Sequence, residues 1–314
     1  MLTAIDHIII GVRNLEKAAT QFSQKLGLAV SGGGIHPTGG TANRVIVIGD
    51  TYLELIAIHN PAEAQQSMLD RLAIHEGYLN FVLASNDIEA DSNAMIHRGV
   101  PILGPTRGSL RAADGRTRGW SRVNIERPDL AQRYPFIIQH DSTGEERRFS
   151  LAGWTTPPDH ALGAMQVRST TIAVANLAEA TQRFQHIYGL QPSDSFTGEA
   201  DGWDAILLAF PLGGNDRGQC FELAEPLPLS DEADQDVDYE HLPEPGALAR
   251  HLEQFGESLC RMTVAVKNLD ASRRYLDKQE VTYTYQSMPR PVVWIHPDYA
   301  CGASIVLHQH AEEG

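Results

Sequence analysis

Residues 5–18 read IDHIIIGVRNLEKA, and this stretch decides the fold. An apolar run, Ile8–Val12, has the composition of a buried strand. Asn14 then offers a side-chain oxygen to the first turn of a helix, and Leu15 opens an amphipathic pattern. The pattern closes at Leu26-Gly27-Leu28, where glycine supplies a left-handed exit. The same order returns at YLNFVLASNDIEAD (78–91), RSTTIAVANLAEA (168–180) and CRMTVAVKNLDAS (260–272). Its caps are Asp87, Asn176 and Asn268, and its exits Gly99, Gly189 and a point near Glu280-Val281. The caps stand 73, 89 and 92 residues apart, the length of a supersecondary unit rather than a solenoid repeat.

About three strand candidates follow each helix. In the first unit they are Ala29–Gly32, Ala42–Ile48 and Tyr52–Ile58, with a hairpin turn at Gly49-Asp50-Thr51. In the third they lie near Gln191–Phe196, Trp203–Phe210 and Gln219–Leu223. In the fourth they are Val281–Tyr285, Val292–His296 and Ala303–His308. The sequence thus predicts an α+β fold of four βαβββ modules, near 4–58, 77–140, 167–224 and 258–308. The breaker-rich 153–158 (GWTTPP) separates an N-terminal domain, 1–152, from a C-terminal one, 160–310. The acidic, proline-rich 226–256 reads as an irregular connection ending in a short helix.

Composition narrows the function. The 314 residues hold 25 Lys+Arg against 40 Asp+Glu, a net charge of −15. That balance argues against nucleic-acid and anionic-membrane partners. The two halves differ: residues 1–156 sum to −1 and 157–314 to −14, so an anion site belongs in the first half. No apolar run is long enough to span a membrane, and no secretory pattern opens the chain, so a cytoplasmic protein is expected. Cys220, Cys260 and Cys301 have no metal-type spacing. A homodimer is left open.

Four such modules in two pairs resemble the vicinal oxygen chelate superfamily of glyoxalases, bleomycin-resistance proteins and extradiol dioxygenases. HPTGGTANRVIVIGDTYLELIAI (36–58), LRAADGRTRGWSRVNI (110–125), YPFIIQH (134–140) and WIHPDYACGASIVLHQ (294–309) resemble its glyoxalase-like branch. The resemblance implies one divalent metal (Zn, Mn, Fe or Ni) held inside a paired-module barrel, with ligands on the first and last strand of each module. Counting from the caps places His7, Asn80, Ser169 and Arg261 at the first-strand position. Last-strand positions fall at Glu54, near Gln139, at Glu222 and near Val306. His7 and Glu54 are therefore the candidate metal ligands; the alternative is a pocket without metal, since Asn80 and Gln139 are amides. His140, His75 and His36 are further donors. In the C-terminal pair, Arg261 opposite Glu222 suggests an ion pair replacing a lost site, a degenerate copy.

Two loops complete the candidate site. SLRAADGRTRGWSRVNIER (109–127) carries Arg111, Arg116, Arg118, Arg122 and Arg127, with Trp120 in phase with Arg118. Arg111, Arg118 and Trp120 could clamp a planar anion; a solvated, charged hairpin edge is the competing reading. SGGGIHPTGGTANR (31–44) lacks the Lys-Ser/Thr and the helix of a phosphate loop. It reads as a rim offering His36, Thr41 and Asn43, with Asn80 and Gln139 also facing substrate. The expected function is a glyoxalase-like lyase or isomerase acting on a small anionic substrate, with Glu54 as catalytic base. The alternatives are a non-catalytic sequestering protein and an extradiol-type dioxygenase.

Overall fold

The computed structural model describes residues 1–112, 114–126, 134–197, 203–213, 218–228, 242–288 and 290–310. The acidic 229–241 and Arg127 lie outside them. Two sheets carry the fold. The first uses β1 (Leu2–Gly11), β2 (Thr41–Ile48), β3 (Thr51–Ile58), β4 (Gly77–Ser85), β5 (Ile102–Arg111), β6 (Thr117–Ile125) and β7 (Phe136–His140), ordered β2-β3-β1-β4-β7-β6-β5. The second uses β8 (Ala164–Ala173), β9 (Phe196–Thr197), β10 (Ala205–Pro211), β11 (Cys220–Pro226), β12 (Ser258–Val266), β13 (Tyr283–Gln286), β14 (Val292–Ile295) and β15 (Ser304–Gln309), ordered β13-β14-β15-β12-β8-β11-β10-β9.

The internal repeat is explicit in the pairing. β1 and β4 run antiparallel at the centre of one sheet, β8 and β12 at the centre of the other. Each pairs in parallel with the last strand of its own module: β3, β7, β11 and β15. The helices α1 (Leu15–Thr20), α3 (Ile88–His97), α5 (Leu177–Tyr188) and α7 (Leu269–Lys278) follow β1, β4, β8 and β12. Asn14, Asp87, Asn176 and Asn268 each accept a backbone N–H three residues on, as the sequence requires. The exits at Gly27, Gly99, Gly189 and Glu280 all have positive φ. One apolar core, from Ile8 and Phe81 to Phe221 and Val264, runs beneath both sheets.

Several elements differ from expectation. Ala29–Gly32 is not a strand: Ser31 makes a single bridge to Val45, and the following glycines give no side chains to pack. The first module is thus βαββ. The strand expected near Gln191–Phe196 shrinks to Phe196–Thr197. Helices α2 (Gln66–Ile74) and α4 (Gly144–Ala152) stand where no element was expected; α6 (Ala247–Phe255) is the short helix ending the acidic connection. Leu151 and Ala152 of α4 pack on Val45, Val47 and Tyr52 of the first sheet. Ala247 and Leu248 of α6 pack with Trp203, just before β10, and with Trp294 and Val306 of the second.

Candidate functional site

The repeat assigns the site positions. In the first sheet His7 pairs with Val82 and Ile9 with Asn80, so His7 and Asn80 are diagonal across the central strand pair. Glu54 pairs with Ile9 in β3; its counterpart in β7, opposite Val82, is Phe136. Gln139 is therefore not the last-strand position. It lies three residues further on, where its Oε1 accepts the Ile88 N–H and its Nε2 donates to the Asn86 carbonyl, closing the start of α3. Gln309 does the same for α7, and Glu225 accepts the Leu177 N–H of α5. Asn80 keeps its expected place, but its amide donates to the Tyr134 carbonyl and accepts the Phe81 N–H.

A buried cluster forms around Glu54. Its Oε1 accepts from Asn43 Nδ2 at 2.5 Å and lies 3.4 Å from His36 Nε2; Oε2 lies 3.7 Å from His7 Nε2. Burial alone would raise this carboxyl. Hydrogen bonding from His36, the His7 and His36 charges and the Asn43 amide outweigh it, and hold the group at about 2. Thr41 Oγ1 meets His36 Nδ1 at 2.7 Å, fixing the half-buried ring. His7 stacks on Tyr52 with centroids 4.5 Å apart and meets Phe136 edge-on at 6.0 Å. His75 lies elsewhere, against Phe255.

A second buried group adjoins it through a strand irregularity. In the β1–β4 ladder Ile5 pairs with Leu83 and His7 with Val82, leaving Asp6 as an extra residue. Such a bulge re-aims the side chains beside it. Asp6 Oδ1 accepts from His7 Nδ1 at 2.7 Å and lies 3.2 Å from His140 Nε2; Oδ2 accepts from Arg147 of α4 at 2.7 Å. Burial works against the Asp6 charge, but Arg147 and His140 hold its carboxyl well below the usual range, while burial lowers His140. Sequence reasoning missed Asp6, Tyr52, Phe136 and Arg147. An acid beside His7 was the visible signal for Asp6; nothing in the sequence places Arg147.

The arginines separate. Arg107 pairs with Asp141, Arg116 with Asp114 and the Phe149 carbonyl, and Arg148 with Asp50. Arg118 has no hydrogen-bond partner among the described residues at Nε and Nη1, both buried. Its guanidinium lies 6.0 Å from the Tyr52 ring and 5.8 Å from Trp120. Trp120 lies over Gly108, where a Cβ would come within 2.4 Å of its Nε1. Arg111 stands exposed at the end of β5. The structure thus gathers His7, Glu54, His36, Thr41 and Asn43, and sets Arg118 beside Tyr52 and Trp120; Gln139 lines a cavity with Asp6, His140 and Arg147.

The C-terminal positions are Ser169, Glu222, Arg261 and Val306. Arg261 donates to Glu222 at 2.8 Å and to Thr171 at 3.0 Å, with Trp203 and Trp294 on its guanidinium at 4.3 and 5.4 Å. That interior is filled.

The glyoxalase-like domain family matches residues 5–188. The chain belongs to this family. No curated protein matches its sequence. A hypothetical protein from Staphylococcus aureus is similar in structure at 14% identity, with TM-score 0.63, covering 99% of this chain and 100% of that one. A mutant of 4-hydroxymandelate synthase from Streptomyces coelicolor is similar at 13% identity and TM-score 0.62, covering 100% and 95%. Methylmalonyl-CoA epimerase from Mycobacterium tuberculosis aligns at 21% identity over 48% of this chain and 91% of its own, with TM-score 0.37. At these identities the two full-length likenesses show the fold. Family membership leaves reaction and substrate open. Among the described residues, no helix is long and apolar enough to cross a membrane.

The donor set does not fit a metal held as the resemblance implies. Phe136 offers no lone pair, and Asn80 is engaged elsewhere. Among the described residues, no group of three His, Cys, Asp or Glu side chains has the arrangement of a metal site.

Proposed function

We propose that this glyoxalase-like protein is a small-molecule enzyme that moves a proton on an anionic substrate, in the manner of an isomerase or lyase. The observation that carries this reading is the ionised Glu54 buried between His7 and His36, with Arg118 beside Tyr52 and its buried Nε and Nη1 without an acceptor among the described residues. A carboxylate held at about 2 is a weak base, so Glu54 serves better as the fixed negative charge that supports an imidazole. His36 is the more exposed of the two imidazoles and takes the role of proton acceptor at Nδ1, the Thr41 hydroxyl 2.7 Å away taking the substrate proton and passing its own to the ring. Arg118 takes the anionic end of the substrate, with Trp120 and Tyr52 as its aromatic walls.

Deuterium exchange into a panel of short 2-oxo and 3-oxo carboxylates, followed by proton NMR in heavy water, tests this. Exchange should fall about 10²-fold or more in His36→Gln and Glu54→Gln. Arg118→Met should raise KM more than it lowers kcat. Exchange that survives both His36→Gln and Glu54→Gln would overturn the reading.

A second reading is a non-catalytic binder of a planar compound. Phe136 at a ligand position, with Tyr52 and Trp120 nearby, favours it. Binding of an aromatic carboxylate with no exchange in any substrate of the panel would select it.

A further inference from the structure

The mismatch between the donor set and a metal centres on Asn43. This residue is wholly buried. Its Oδ1 accepts the Gly34 N–H at 3.0 Å, which fixes the amide the other way round toward the cluster. Nδ2 therefore points between Glu54 Oε1, at 2.5 Å, and His36 Nε2, at 3.3 Å. An amide nitrogen has no lone pair for a cation, and its protons occupy the notch that these two donors border. The glycine loop clamps it there. A Cβ on Gly33 would fall 1.7 Å from the Asn43 carbonyl oxygen and 2.8 Å from Oδ1, so only glycine lets the loop close on this side chain.

We propose that Asn43 stands in place of a metal ion: its amide N–H holds the Glu54 carboxylate beside the His36 ring, and the site is built to work without a cation. Asn43 is then a positioning residue. This inference goes beyond the proton-transfer reading and does not require it, because its test measures metal rather than turnover.

Tag-free protein is stripped with chelator and dialysed against Co(II) and, separately, Zn(II). Metal content and the visible d–d bands of Co(II) are recorded for the wild type, His7→Ala, Asn43→Asp and the double variant. The wild type should take up no stoichiometric metal and show no bands. Asn43→Asp puts a second carboxylate beside His7, His36 and Glu54. It should bind about one equivalent with tetrahedral-type bands, lost on adding His7→Ala. Should Asn43→Asp fail to fold by circular dichroism, Asn43→Ser replaces it; opening the notch should give weaker Co(II) uptake that again depends on His7. Stoichiometric metal in the wild type that disappears in His7→Ala would overturn the proposal. So would a folded Asn43 variant that remains metal-free, since the amide would then not be what keeps a cation out.

Discussion

Glu54 shows how a single buried carboxylate reports on its neighbours. It sits in YLELIAI, where a charge between apolar residues is costly unless it is paired, and that made it legible as a site residue. His7, His36, Thr41 and Asn43 were legible for similar reasons: strand phase for the first, the glycine-rimmed stretch for the rest. Asp6 was not, because alternation puts neighbours of His7 on the other face and the bulge overrides it; Tyr52, across from His7 and in phase with Glu54, reads as an ordinary apolar strand residue. Arg147 comes from a helix with no counterpart in the pattern. The low Glu54 value has a sign that can be checked. A carboxyl lowered from 4.5 to about 2 on folding adds stability that is complete above about 4.5 and disappears as pH falls toward 2. The advantage at neutral pH is on the order of 3 kcal/mol, at about 1.4 kcal/mol per pKa unit. Urea unfolding of the wild type and Glu54→Gln at pH 7, 4.5 and 2.5 should show their difference shrinking between the last two. Asp6 is present in both proteins, so its own acid titration largely cancels. A difference independent of pH would mean the cluster does not hold Glu54 ionised.

Among elements, the last strand of each module is where sequence reading slipped. Helix starts were legible because Asn or Asp at the cap has a fixed chemical task, and all four caps form. The last strands carry no such anchor before they fold, and YPFIIQH was entered three residues late. The structure supplies the anchor afterwards: Gln139, Glu225 and Gln309 each close a helix start from the neighbouring strand. Gln139 thus has a structural task at the start of α3 while it also lines the cavity beside Asp6, His140 and Arg147, and Phe136 takes the site position. Removing this second cap should cost about 1 kcal/mol, the usual value of a helix-start hydrogen bond. Gln139→Ala and Gln309→Ala should therefore lower the urea midpoint by similar amounts, with Gln139→Ala leaving ligand binding at the Glu54 cluster as in the wild type. A Gln139→Ala protein of unchanged stability but weakened ligand binding would make contact with the ligand its main role.

At the scale of the whole molecule, the two barrels share a repeat but differ in what fills them. The four copies and their pairing were legible; the helices laid over each concave face were not, since α4 and α6 lie in the connections between modules. In the first sheet the cover leaves polar groups facing one another around Glu54. In the second, two tryptophans and α6 surround Arg261, which is 1% exposed and bonded to Glu222. A buried pair of this kind gains from mutual attraction about what it loses in desolvation, whereas one partner left alone is a stranded charge. Arg261→Met and Glu222→Gln should each destabilise by roughly 3–5 kcal/mol. The double change Arg261→Met with Glu222→Leu should recover most of that loss, because the tryptophan cage accepts an apolar chain of similar length. Guanidinium unfolding of the four proteins gives the coupling directly. Because one core runs beneath both sheets, the loss should appear in the unfolding of the whole chain rather than as a separate early transition. Exchange and ligand binding at the Glu54 cluster should be unchanged in the double variant under native conditions. Loss of those activities in a stably folded double variant would place a working site in the second barrel, and the picture of a structural copy beside a functional one would fail.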